Sequence, residues 1–297
     1  MTAGSAAVIA GADPFRMADV PQELVDLVVD SIDDDRRSLI NASLVCRSWS
    51  LATRPHLFRR ADFSIGFHNI PDSLDRYAPD DHSFHRFHLL DQIIQDRPSI
   101  AYNIRDVAIS GAIGHNSSLW SRAEPLITSI LSRLRRVNHL TLQEVQWKFL
   151  TVQCKQALVS IFSSPCLGSV KLHRFSAPLP TIFSLLGMAK NLKSLSSSYT
   201  PIGGTEYGHA SFEPTAPVEL RSLDLGTCNN FEDFVGFLLD PECPIDISHL
   251  QNLRMTDVRD VPSCGQLLHA AGKTLETLEL WAPTSGLSLS FFTSFLI

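Results

Sequence analysis

The sequence has no apolar run approaching the roughly 20 residues that a membrane-spanning helix needs. It has no long run of lysines and arginines, and its formal net charge is −6. Both facts argue against nucleic acid or an anionic membrane as the main partner, because phosphate binding wants clustered cations. No Cys-x-x-Cys pair occurs among the six cysteines, Cys46, Cys154, Cys166, Cys228, Cys243 and Cys264. That spacing is expected of buried free thiols in a reducing compartment. The glycine-bearing stretches "SGAIGHNSS" and "PIGGTEYGH" lack the spacing and the lysine of a phosphate loop, and no nucleophile elbow is present. His82, His85 and His88 in "DDHSFHRFHLL" have no fourth ligand in register, so a histidine-rich loop is expected there and not a metal site. The acidic run in "SIDDDRR" is expected as a solvated turn between helices. Without converging titratable groups, no catalytic residue, cofactor or metal ligand is assigned, and the chain is expected not to be an enzyme.

What is present is the composition of a folded chain, 44% apolar and 19% charged over 297 residues, enough for one large domain or two ordinary ones. Residues 1–18 have no basic residue before a short apolar run, unlike a signal peptide, and are expected as a flexible tail. Residues 19–60 show closely spaced helical patterns. Residues 61–99 are expected as a connecting segment, a Pro- and Asp-rich loop followed by a helix around Leu89, Leu90, Ile93 and Ile94. Residues 100–297 repeat.

The repeat is a six-residue window with apolar residues at positions 1, 4 and 6. It begins at Ile104, Val137, Leu167, Leu192, Leu220, Leu250 and Leu275, with starts 25 to 33 residues apart and Ser197 as the weak sixth position of the Leu192 window. "LRSLDL" and "LETLEL" are the most regular examples. In a short strand, positions 4 and 6 point to one side, and position 1 enters the same core from the preceding turn. One such strand cannot bury that edge alone, so neighbours must stack. Between strands, "EPLITSILSRL" places Leu126, Ile130 and Leu134 on one helical face, with Pro125 near the helix start. "FEDFVGFLL" does the same with Phe231, Phe234, Val235 and Leu238, and "GQLLHAAG" with Leu267, Leu268 and Ala271 before a stop at Gly272. The C-terminal "SGLSLSFFTSFLI" is expected to be the next unit's apolar helix.

This region resembles the leucine-rich repeat family. "LRSLDLGTCNNF" carries Cys228 where that family often places a buried Asn or Cys. Ala112, Val145, Phe175, Thr200, Val258 and Pro283 hold the equivalent site elsewhere and depart from the pattern. The resemblance implies an α/β fold, an irregular solenoid of strand–helix repeats on a parallel sheet. A bound protein would meet outward residues such as His139, Thr141, Lys171, Arg221, Asp224, Arg254, Glu276 and Glu279. Their mixed charge names no particular substrate.

The N-terminal segment begins "VPQELVDLVVDSI", with Pro21 at a first helical turn and Glu23 and Asp26 early in the helix, which suits its dipole. Leu24, Val28 and Ile32 recur at four-residue spacing, flanked by Val25 and Leu27. Leu39 and Ile40 open a second apolar segment. In a third, Val45, Trp49 and Ala52 share a helical face, Leu44, Ser48 and Leu51 share the next, and Pro55 ends it. Three helices in so short a stretch bury little surface, so their wide apolar stripes need covering by the repeats or by another protein.

"VPQELVDLVVDSID…LINASLVCRSWSLATRPHLF" resembles an F-box, on Val20, Pro21 and Glu23, then Leu24 and Val28, then Val45, Cys46 and Trp49, then Leu57 and Phe58. Val20 departs from the family's usual Leu. An F-box followed by degenerate leucine-rich repeats is similar to the F-box proteins of mushroom-forming fungi. The resemblance implies a non-catalytic substrate receptor of a cullin–RING ubiquitin ligase, cytoplasmic or nuclear. Its F-box would dock on the Skp-type adaptor, and through it a cullin, while the repeats hold a protein substrate. Docking is carried onto Val20, Pro21, Leu24, Val28, Leu44, Val45 and Cys46. Trp49 is either partner contact or module core, and Arg47 is a solvated rim charge. The alternative is a leucine-rich repeat scaffold whose N-terminal helices merely cap the solenoid.

Overall fold

A computed structural model describes residues 20–65, 81–111, 117–199, 217–227, 231–256, 260–281 and 288–291. The expected tail at 1–18 lies outside them, as do Cys228 and the sites at Ala112, Thr200, Val258 and Pro283. The chain divides into two compact units, Met1–Leu57 and Phe58–Ile297.

In the larger unit every one of the seven windows becomes a strand. They are β2 (Asp106–Ser110), β3 (His139–Gln143), β4 (Ser169–His173), β5 (Ser194–Ser198), β7 (Ser222–Leu225), β9 (Asn252–Thr256) and β10 (Thr277–Trp281). They pair in parallel, so Val107, Leu140, Val170, Leu195, Leu223, Leu253 and Leu278 form one cross-strand row. Ile109, Leu142, Leu172, Ser197, Leu225, Met255 and Leu280 form the next. Both rows are buried as far as β9 and half-buried at β10. The position-1 residues from Ile104 to Leu250 are buried too. The unit is a solenoid-like α/β repeat fold whose continuous core exists because each strand's apolar edge needs its neighbour.

Residues 61–99 are more than a connector. Arg60–Ser64 is strand β1, the sheet's first, pairing in parallel with β2 so that Ala61 meets Val107 and Phe63 meets Ile109. Asp81–Asp96 is helix α4, and Phe87 and Ile94 from it join the large core, with Phe58 packed against it. The boundary therefore falls before Phe58, ahead of the expected 60. The expected histidine-rich loop is part of α4, with His85 and His88 exposed and the His82 side chain outside the described residues.

Helices pack behind the sheet. Helix α5 (Ser117–Leu131) starts well ahead of Pro125, which lies inside it on the exposed face, where its lost N–H leaves no buried carbonyl orphaned. Ile127 and Ile130 are buried with Leu134, while Leu126 is only half-buried. Then come α6 (Val152–Phe162), α7 (Leu179–Met188), α8 (Phe231–Leu238) and α9 (Val261–Ala271). Phe234, Val235 and Leu238 of α8 are buried, as are Leu267 and Ala271 of α9. Two buried carboxylates tie the helical layer. Asp91 of α4 accepts from Ser129 and Arg133, each at 2.9 Å, and Glu124 of α5 accepts the Thr151 N–H at 2.7 Å, just where α6 begins. A small second sheet joins β6 (Val218–Glu219) to β8 (Ile245–Asp246). The C-terminal stretch expected as a helix contains instead β11 (Ser288–Phe291), antiparallel to β10. Ser288, Leu289, Ser290 and Phe291 alternate at period two, the periodicity of a strand and not a helix.

The smaller unit is α1 (Gln22–Ser31), α2 (Arg36–Ser43) and α3 (Arg47–Leu57). Pro55 does not end α3; it falls in the last turn, exposed, and the carbonyl four residues back that it cannot serve belongs to Leu51, itself exposed. Leu44 and Val45 are not helical; they form the turn before α3.

Candidate functional site

The smaller unit folds around Val25, Val29 and Leu39, with Ile32, Trp49, Ala52 and Leu57 packed against them. Val25 and Val29 are four residues apart, so one face of α1 is spent on this core. The Pro21 carbonyl opens α1 by accepting the N–H groups of Leu24 and Val25 at 3.0 and 3.2 Å. The Asp35 side chain caps α2, accepting from the Arg37 and Ser38 N–H groups. The Ser38 hydroxyl is the main reason that the Asp35 carboxyl titrates below its ordinary value, with those N–H groups adding to it. His56 Nε2 lies 3.2 Å from Asp30 and joins α3 to α1.

With Val25 and Val29 inward, the rest of α1's apolar residues must point away. Leu24, Leu27 and Val28 share the opposite face and are 51%, 65% and 46% exposed. Val20 and Val45 are about half exposed, and Leu44 reaches 79%. Pro21 and Cys46 are exposed as well. Trp49, the eighth expected contact, is half-buried and packs on the unit's own core, because its place on α3 turns it toward Val25 and Leu39. Sequence reasoning missed Leu27, Ile40 and Leu51 as exposed apolar residues. The signal was there for Leu27, three residues after Leu24 on the same helical stripe.

Cys46 is not the buried thiol expected. It precedes α3, its sulfur lies 3.2 Å from Ser48 Oγ, and that contact, then the Trp49 N–H, lowers its pKa. Cys166 and Cys243 are half-buried, while Cys154 and Cys264 are buried. Burial pushes the Cys154 thiol up to about 12 and Cys243 up to about 11.

On the sheet's outward face, Thr141, Lys171, Ser196, Asp224, Arg254 and Glu279 form one in-register row. His139 lies one pleat away on β3. Arg221 and Glu276 are not on strands; each precedes one and donates its N–H to the previous repeat, at 2.9 and 2.8 Å. Several of these side chains engage one another. Arg254 Nε lies 3.5 Å from Glu279, the Ser196 hydroxyl donates to Asp224 at 3.1 Å, and Gln251 donates to Glu276 at 3.1 Å.

The strand ends carry a feature absent from the sequence pattern. Gly111, Glu144, Arg174 and Tyr199 each follow a strand with a left-handed φ of 99°, 56°, 51° and 49°. Each donates its N–H to the next repeat, at 3.2, 2.8, 2.8 and 2.6 Å. Gly111 has no alternative, since a Cβ there would lie 2.3 Å from the Ile65 carbonyl oxygen. The other three bear side chains in a region that costs about 1–2 kcal/mol per residue. The repeated N–H bond offsets that cost. Their side chains also meet: Arg174 bonds Glu144 at 2.7 Å and lies over the Tyr199 ring. His173 Nδ1 is 2.8 Å from Ser198 Oγ, and burial, then Arg174, lowers the pKa of His173. The nearby carboxylate, Glu144, is committed to Arg174, so the pair is a cross-strand hydrogen bond and not a triad.

No helix among the described residues is long and apolar enough to cross a membrane. The chain is similar to the solved tropomodulin C-terminal domain of Caenorhabditis elegans, at 8% identity and a TM-score of 0.34, over 63% of this chain and 92% of that one. At that score the likeness carries no argument. No family model matches the chain, and no curated protein matches it.

Proposed function

We propose that the smaller unit is an F-box that docks on a Skp-type adaptor, and that the larger unit is an irregular leucine-rich repeat solenoid that holds a protein substrate for a cullin–RING ubiquitin ligase. The observation that carries this reading is the exposed apolar ledge of Leu24, Leu27, Val28, Leu44 and Val45 on a unit with a minimal core of its own. Apolar side chains concentrated this way mark a surface meant to be covered. The motif of Pro21, Glu23, Val45, Cys46 and Trp49 supports the same reading. Trp49 then acts by holding α3 in place, and Leu44 and Val45 act from the turn that precedes it.

The test is co-purification of the full chain with a Skp-type adaptor, native against Leu24→Asp/Val28→Asp. The native chain brings down adaptor and the variant does not, while both give the same circular dichroism. A folded native chain that captures no adaptor leaves the interaction scaffold as the better reading.

A further inference from the structure

The chain carries a net charge of −6, yet arginines gather at one rim of the larger unit, where the chain enters β2 and β3. Arg105 precedes β2, and Arg133, Arg135 and Arg136 lie between α5 and β3. A 3-10 turn, Pro98–Tyr102, lies beside them and leaves Tyr102 49% exposed. A groove of about 410 Å³ opens here, lined by the apolar Pro98, Ala101 and Tyr102 and by Arg133 and Arg135.

The guanidinium groups differ in what neutralises them. Arg133 is 2.9 Å from Asp91, a buried carboxylate, and its charge is compensated. Arg136 lies over the Tyr102 ring, 5.6 Å from its centre, and Arg105 donates to the Arg136 carbonyl at 3.4 Å. These contacts restrain two side chains without cancelling their charge, because neither partner is an anion. Among the described residues, no carboxylate lies within ion-pairing distance of Arg105, Arg135 or Arg136.

We propose that this rim binds an acidic segment of another protein, with carboxylates on Arg105, Arg135 and Arg136 and an apolar side chain in the groove beside Tyr102. Guanidinium forks match carboxylates in a bidentate way, and partial restraint lowers the ordering cost of binding. A nucleic acid would need a longer phosphate track than three uncompensated cations. The inference does not rest on the adaptor reading, since it concerns the other unit.

The experiment is fluorescence anisotropy with the full chain. The probes are a labelled peptide of glutamates around one phenylalanine, the same peptide with glutamines, and an oligouridine of equal length. The glutamate peptide is expected to bind at low salt, the glutamine peptide at least roughly tenfold more weakly, and high salt to abolish the difference. Arg135→Glu/Arg136→Glu changes exposed side chains, and is expected to weaken binding more than roughly tenfold with unchanged thermal melting. Lys148→Glu, beyond the opposite end of β3, reverses a charge without effect on binding. Tyr102→Ala keeps every charge and gives an intermediate loss. No binding of the glutamate peptide overturns the proposal. So does equal binding of the glutamine peptide, equal loss with Lys148→Glu, or tighter binding of oligouridine.

Discussion

Leu223 and Leu24 are the same residue on regular elements, yet Leu223 is fully buried and Leu24 is 51% exposed. The difference lies in what stands beside each. Leu223 occupies a row in which Leu195 precedes it and Leu253 follows, so two neighbouring repeats cover it. Leu24 is on a helix whose other face, Val25 and Val29, already satisfies a three-helix core. A stacked array has a use for every apolar residue that falls in register. A small unit saturates its core early and presents the remainder.

The largest effect is expected inside the array. Leu223→Ala should cost about 3 kcal/mol of stability in denaturant unfolding of the larger unit, since the neighbouring rows hold the cavity open. A loss below about 1 kcal/mol would mean that the row packs more loosely than its burial implies. Val29→Ala should cost about 2 kcal/mol and act on the smaller unit, where so little core exists to share the loss. Hydrogen exchange should then show α1 to α3 opening while β3 to β9 stay protected.

Leu24→Asp sharpens the contrast from the other side. At an exposed site it should change stability by less than about 0.5 kcal/mol. The same substitution at Leu223 should prevent folding of the array. If Leu24→Asp destabilises the smaller unit strongly, the ledge is core after all.

Thiol chemistry separates the units as well. Cys46, with its lowered pKa and its exposure, should be alkylated before Cys154, Cys243 and Cys264, and at lower pH than an ordinary thiol. Cys154 and Cys243, raised by burial to about 12 and about 11, should react only on unfolding, which peptide mass mapping would resolve. Adaptor bound to the ledge should slow Cys46 alone.

The smallest effect concerns Asp35. Its folded pKa is depressed, so its contribution to α2 is present above the unfolded value of 3.8 and is lost as pH falls through the folded value. Comparing native with Asp35→Ala by hydrogen exchange of α2 should show a difference near neutral pH that closes on acidification. A difference that persists in strong acid would assign the effect to the helix residue and not to the carboxylate.

The seven apolar windows were legible because short strands of four or five residues, paired without offset, convert a spacing in the chain into a row in space. The eighth strand, β1, was not. The apolar window that begins at Phe58 stands 46 residues before Ile104, outside the period, and Ala61 is a weak apolar signal. On the ledge, Pro21, Leu24, Val28, Leu44, Val45 and Cys46 could be picked from the motif. Trp49 could not be assigned, because helical periodicity places it on a face without saying which face turns inward. The arginine rim was invisible, since Arg105 and Arg136 are distant in the chain and meet only when β2 and β3 pair.

By itself, the order of residues determined the strand–helix repeat and the presence of a short helical segment rich in exposed apolar candidates. Backbone periodicity is local, and three or four side chains suffice to set it. Tertiary structure alone decided which apolar face is satisfied, which carboxylate neutralises which arginine, and which residues accept left-handed backbone to reach the next repeat. Those outcomes depend on distances between residues far apart in the chain, and such distances exist only once the chain has folded.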